Sequence, residues 1–432
     1  MYKSGAKYFP ELRQYLDGVP VIETHEHYAS FKKIEVSAVD YLIGNCFWCD
    51  YLTVKDSVPP PTGNTHKDRA EWFIRLFKRT DKTAFAKCVK TALRECWGVG
   101  SIDCYEDFLA LEEKLLAADA SMLDYHMERL NVKAMVSDIY DFNEFAGYLE
   151  GVTPHSKYAR FSLNTGFFND LHRYEDLFLL QKYLKKKITC LDDYLECFDN
   201  FLKRCVDFGI VALKVIAAYR RSLDFANPPK SEAESVFNEM TRNPRIIFGD
   251  EVVRPLDEWL FHYLMRKAAE YNLPVQVHAG YLAADNPRNI ITDANAVNLT
   301  KTVELHKDVS FSLFHGNWPY MGEFLYMGKN YPNVHLDLCF TQNMDPPYCV
   351  ELMKRAVMTV PHYKLHAFGG DMGRVDFVTA YLGLARDNVA CALSELVESG
   401  WLDLGEAKQI AADWFFNNPN EFYSLGFDRI TV

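Results

Sequence analysis

Eight short apolar runs, each followed by a stretch of helical periodicity, constrain this chain more than any other feature. They are read at Val19–Thr24, Val132–Ile139, Ala159–Leu163, Ile210–Ile216, Val275–His278, Ser310–His315, Val334–Phe340 and Lys364–Phe368. Several are apolar at consecutive positions, as in a parallel sheet covered by helices on both faces. The intervening stretches, among them Leu256–Ala269 and Ala294–His306, place apolar residues at i, i+3 and i+4, so that a helix can bury one face. Eight strands alternating with helices predict an α/β fold, the (β/α)8 TIM barrel. A doubly wound sheet is the rival, and the polar residues that close the strands, described below, decide against it.

Two stretches interrupt the alternation. Between Tyr28 and Asn131 no strand is read, only helical pieces at Arg69–Lys78, Lys82–Cys96 and Tyr105–Leu115 that follow a Pro-Pro-Pro loop at 59–61. This is a helical insertion after the first strand, at about 29–131, in a single barrel over 1–432. Insertions at the C-terminal ends of barrel strands sit over the active site, so this one is expected to form its wall or lid. The second stretch, Ala226 to Asp250, holds Asn227-Pro-Pro and Asn243-Pro and reads as a loop after strand four.

Composition narrows the class of protein. A formal net charge of −12 and the lack of a basic tail argue against nucleic acid or an anionic membrane as partner. No run of about 18 apolar residues is present, so no spanning helix is expected. The N-terminal residues lack the apolar core of a signal peptide. Eleven cysteines without a framework fit reduced thiols in the cytoplasm. Cys46-Phe-Trp-Cys49 has redox spacing, but its aromatic neighbours suggest a packed helix instead.

Chemistry concentrates where strands end. The first strand runs into His25-Glu26-His27. Alternation puts both imidazoles on one face, about 6.8 Å apart along the strand, from which they can tilt onto one ion, while Glu26 points away. The plain alternative is a polar pair where a strand becomes a loop. Lys214 interrupts the apolar Ile210-Val-Ala-Leu-Lys-Val-Ile, a costly position for a cation unless it is paired or neutral. His278 and His315 each close a short strand and precede small residues. Asp371 follows Gly369-Gly370, glycines that admit a close backbone approach. Such nitrogen and oxygen donors suit a divalent metal, zinc first, with manganese or iron as alternatives. The ion would acidify water, and a carboxylate beside it would take the proton. Around it, Arg220 and Arg221 offer guanidinium groups for a carboxylate or phosphate, Arg221 standing equally well as an exposed loop residue. Trp318 and Tyr320 could wall a pocket or simply pack in the core.

The order HxH, Lys, His, His, Asp on eight strands resembles the amidohydrolase superfamily of metal-dependent barrels. Ala212-Leu-Lys-Val-Ile-Ala-Ala-Tyr-Arg220, His278-Ala-Gly and Tyr331-Pro-Asn-Val-His-Leu-Asp337 are similar to the amidohydrolase-like domain joined to glutamine-synthetase-like proteins of fungi and plants. No synthetase-like portion is read here. The helical insertion after HxH is similar to that of uronate isomerases, although Asp371-Met-Gly-Arg departs from their Asp-x-Arg spacing. The resemblance implies that His25, His27, His278 and Asp371 bind metal, with Asp371 also the proton acceptor. It matches Lys214 to a carboxylated lysine bridging two ions in binuclear members, and His315 to their strand-six ligand, leaving the choice of one ion or two open. It implies hydrolysis of a C–N or C–O bond in a small anionic substrate by an enzyme that the cysteine pattern places in the cytoplasm and for which a homo-oligomer is allowed. Isomerisation of a uronate, decarboxylation, and a silent barrel used as a binding module are the alternatives.

Overall fold

The computed structural model describes residues 4–284 and 288–432, apart from the side chain of Cys46. All eight expected strands form, as β1 (Val21–Glu26), β2 (Val132–Asp138), β3 (Ala159–Asn164), β4 (Ala212–Val215), β5 (Val275–Val277), β6 (Phe311–Leu313), β7 (Val334–Asp337) and β8 (Leu365–His366). They lie in one parallel sheet in chain order. The Thr24 amide donates to the Phe368 carbonyl at 3.0 Å, bringing β1 against the chain leaving β8. The sheet is therefore a (β/α)8 barrel, and the doubly wound alternative is excluded.

The strands are shorter than their apolar runs because only the central residues pair. In the β4 run, Ala212–Val215 pairs while Ile210 and Ile216 lie outside the ladder. The β1–β2 register shifts between Glu23 and Glu26, so β1 is irregular as it enters the histidine pair. The lower barrel is filled by the C-terminal segment. Phe416 packs with Ile22 and Ala134, and Tyr423 with Val136 and Ala212. The Gln276 amide ties this plug to the strands by donating 2.8 Å bonds to the Tyr423 hydroxyl and the Thr24 carbonyl.

Between β1 and β2 the chain is helical among the described residues, with longer helices at His66–Thr80, Ala84–Trp97, Tyr105–Ala117 and Ser121–Arg129. Thr65 and Asp68 form a reciprocal capping box at the first of these, and Gly98 ends the second in the left-handed conformation. The insertion packs onto the chain after β8. The Trp97 indole donates to the Tyr41 hydroxyl at 3.1 Å, and that hydroxyl bonds Asp376. Cys49, half-buried on the helix Trp48–Val54, lies against Tyr281 of the loop after β5. Its Cys46 neighbour has a side chain outside the described residues.

One expectation is corrected. Residues 226–250 are not a continuous loop, because Lys230–Arg242 is a helix. Pro228-Pro229 and Asn243-Pro244 bracket that helix instead of breaking it, and Ala233, Phe237 and Met240 bury one face at helical spacing.

Candidate metal centre

Five of the six residues expected to bind or assist an ion are linked directly at the C-terminal end of the barrel. His27 Nε2 lies 2.8 Å and His25 Nε2 3.5 Å from Asp371 Oδ1. The two rings meet edge to face with centroids 4.7 Å apart, as the shared-face reading of HxH requires. From the other side His315 Nδ1 comes within 4.0 Å of Asp371 Oδ2, and His315 Nε2 is 3.0 Å from His278 Nδ1. Lys214 joins through the aromatic wall, with Nζ 3.9 Å from the Phe314 ring centre and the His25 ring 5.1 Å from it. All but His27 and Asp371 are essentially buried.

The hydrogen-bond partners of the histidines are informative. His27 Nδ1 faces the Asp138 carbonyl at 2.9 Å while Nε2 faces the Asp371 carboxylate, so both nitrogens point at acceptors. His278 Nε2 lies 2.6 Å from the Tyr281 carbonyl, which places its hydrogen there and leaves Nδ1 a lone pair. His315 then has an acceptor on each side, the Cys339 carbonyl at 3.0 Å and that lone pair. Whichever nitrogen of a neutral His315 carries the hydrogen, the other opposes a lone pair. An ion accepting the lone pairs of His278 and His315 removes this conflict. Three buried atoms in the same region also lack hydrogen-bond partners, namely His25 Nδ1, Asp138 Oδ1 and Lys214 Nζ. The donor set thus fits a cation.

The electrostatics agree. Burial pushes the Asp371 carboxyl up, but the His27 hydrogen bond and the His27, His25 and His315 rings pull it well below the usual range. Burial, with Lys214 and His27 beside it, holds His25 well below its ordinary value. Burial does the same to His278, helped by His315 and Lys214. His315 is lowered to about 4 chiefly by burial. Only His27 is raised, its burial outweighed by Asp371 and Asp138. Three neutral imidazoles around a carboxylate are in the protonation states that metal ligands need.

Three further residues belong to the site. Asp138 ends β2 and forms a cluster of ligand-capable atoms within 4.8 Å with His25 and His27. Cys339, just past β7, does so with His315 and Asp371. Tyr140, half exposed, stacks on His27 at 4.1 Å with its hydroxyl 2.9 Å from Nε2. In the sequence, Asp138 and Tyr140 stand in Ser-Asp-Ile-Tyr-Asp at the close of the second run. Strand-end position was the available signal, but one aspartate there looks like any helix cap.

The substrate-side residues separate. Arg220, on the loop after β4, bonds Asp170, whose Oδ1 also lies 2.9 Å from His172 Nε2. Arg221 is buried, not an exposed loop residue. Its guanidinium bonds Asp257 at 2.8 Å, Glu258 at 2.6 Å and the Asp224 carbonyl at 3.1 Å, a set of bonds that holds a loop to a helix. The guanidinium is thus engaged within the fold. Trp318 is half-buried, donates to Asp345 at 3.2 Å and meets Tyr281 at 6.4 Å, which places it in the wall that Tyr281 shares with the insertion. Tyr320 is half-buried, and its carbonyl accepts from the Asn317 side chain at 3.2 Å.

Comparison with known proteins gives a sequence match and a fold match. A family model described as amidohydrolase matches residues 205–365, a stretch holding Lys214, His278 and His315 but not His25, His27 or Asp371. Protein fluG of Emericella nidulans is 27% identical over 234 residues, covering 51% of this chain and 26% of that protein. The match thus spans about a quarter of that relative. Glucuronate isomerase of Caulobacter crescentus superposes with a TM-score of 0.75 at 15% identity, covering 98% of this chain and 94% of its own. A Lactobacillus casei protein described as a metal-dependent hydrolase superposes at 0.65 with 17% identity, covering 96% and 97%. The chain therefore resembles the amidohydrolase superfamily, in sequence through residues 205–365 and in fold through the whole barrel.

Proposed function

We propose that this chain is a metal-dependent hydrolase of the amidohydrolase type, acting on a C–N or C–O bond of a small anionic substrate. The observation that carries the reading is the convergence of His25, His27, His278, His315 and Asp371, with lone pairs opposed around the neutral His278–His315 pair. His25, His27, His278 and Asp371 would hold a divalent ion, zinc before manganese or iron. In a binuclear form Lys214, carboxylated, and His315 would join them. When bound, the ion supplies Lewis acidity and a water acidified towards about pH 7. Asp371, kept ionised between three imidazoles, would be the group placed to take a proton from a water on that ion. Lys214, if it remains a free amine, donates to a substrate oxygen. Arg220 holds the anionic end, exchanging part of its contact with Asp170. Trp318 and Tyr320 would wall the pocket beside them.

A second reading is favoured by the likeness to glucuronate isomerase, which runs through the helical insertion. The same donors can hold a hydroxyl and a carbonyl together for aldose–ketose isomerisation. A panel of amides, lactones and uronates, offered to zinc- and manganese-loaded protein, separates the two. Hydrolysis of an anionic amide or lactone is expected. Isomerisation of a uronate with no hydrolysis anywhere in the panel would replace the first reading by the second.

A further inference from the structure

Glu26, the residue between the two histidines, is fully buried. Its Oε1 accepts the Gly370 amide at 2.7 Å and its Oε2 the Met372 amide at 3.1 Å. Those two amides flank Asp371, whose φ of +56° is a left-handed conformation that costs an L-residue energy unless its surroundings enforce it. Two backbone bonds complete the lacing of this loop to β1. The Asp371 amide donates to the His25 carbonyl at 2.9 Å, and the His27 amide donates to the Met372 carbonyl at 2.8 Å. Gly370 fits the same arrangement, because a Cβ there would stand 2.3 Å from Glu26 Oε1. The carboxylate therefore occupies space that the loop leaves for it.

We infer that Glu26 is a positioning residue that holds Asp371 in its ligating conformation, so that the H-x-H segment carries both two metal ligands and the clamp for a third. This rests on the metal reading proposed above. Each oxygen faces one amide, so both accept, and these two bonds work against the burial and the neighbouring Glu23 that push this carboxyl's pKa up. An amide of the same shape keeps one acceptor and turns an N–H₂ against the other backbone N–H. Loss of outer groups that orient a ligand lowers metal affinity by about 10–100-fold. The clamp makes no contact with the ion and acts through the loop that carries Asp371, so its effect should appear in affinity even when the barrel remains folded.

The test is zinc affinity, by competition with a chromophoric chelator, of metal-stripped wild type, Glu26→Gln and Gly370→Ala, with near-UV circular dichroism reporting folding. Expected is a loss of about 10–100-fold in both folded variants. A folded Glu26→Gln that binds zinc as tightly as wild type overturns the inference and leaves the metal reading intact. Should Glu26→Gln fail to fold, Gly370→Ala decides in the same way, since its methyl group displaces the same carboxylate. A wild type that binds neither zinc nor manganese overturns the metal reading, and this inference with it.

Discussion

Single residues in this site are expected to separate by kinetic signature. Asp371 is proposed to act on the proton in transfer, so Asp371→Asn should lower kcat by about 10²–10⁴ in metal-replete protein, with metal content assayed in the same sample. Full kcat in that variant would place the proton acceptor elsewhere. Arg220 is proposed to touch a part of the substrate that does not react. If that contact is equal in ground and transition states, Arg220→Ala should raise KM with little change in kcat, by a factor corresponding to about 1.5–3 kcal/mol. An unchanged KM for an anionic substrate would reduce Arg220 to the partner of Asp170. Glu26 shows the limit of reading residues by alternation. Period two pointed it away from the histidines, and it does point away, yet a register shift in β1 and two glycines after β8 make that direction useful.

At the scale of elements, the site depends on loops that approach each other backbone to backbone. Gly280, two residues past His278, has φ +73°, and a Cβ there would lie 2.4 Å from the Asn317 carbonyl carbon and 2.5 Å from the Trp318 nitrogen. Gly280→Ala is therefore expected to destabilise the fold by more than about 1 kcal/mol, read as a lower urea midpoint, because neither loop can yield as a flexible side chain would. An unchanged midpoint would mean that the loops part readily.

His172 tests another loop junction through pH. Its pKa is raised to about 9, first by its hydrogen bond to Asp170, against burial, with the Phe248 carbonyl and Asp250 adding to the rise. A raised pKa means that its contribution is full below the unfolded value of about 6.5 and is lost as pH climbs through about 9. Unfolding free energy should fall across that interval in wild type and fall less in His172→Gln. Equal slopes would remove His172 from the account.

At the scale of the whole molecule, the barrel was legible because each parallel strand is a short apolar run, and the polar residues at or after the ends of several of them are the candidate ligands. His25 and Lys214 lie one residue from the ends of β1 and β4, and His27, His278, His315 and Asp371 follow theirs, so the pattern that marks the strands also marks the candidates. The insertion was legible as helices, since amphipathic spacing marks a helix wherever it packs. What it packs against was not, because the Cys49–Tyr281 contact and the Tyr41–Asp376 bond join residues more than 200 positions apart. Asp138 and Cys339 stayed hidden for the same reason, as each becomes a candidate only beside histidines from other strands. The helix Lys230–Arg242 was missed because prolines mark helix starts and ends as well as loops.

The central claim is that these strand ends form a metal centre. Its most direct test is elemental analysis of purified wild type beside a His25→Ala/His27→Ala variant, each before and after incubation with zinc or manganese. Expected is at least one tightly held divalent ion per chain in wild type, lost in a variant that keeps its circular dichroism. Wild type that carries no metal and takes up neither ion, or a variant that holds metal as well as wild type does, would contradict it.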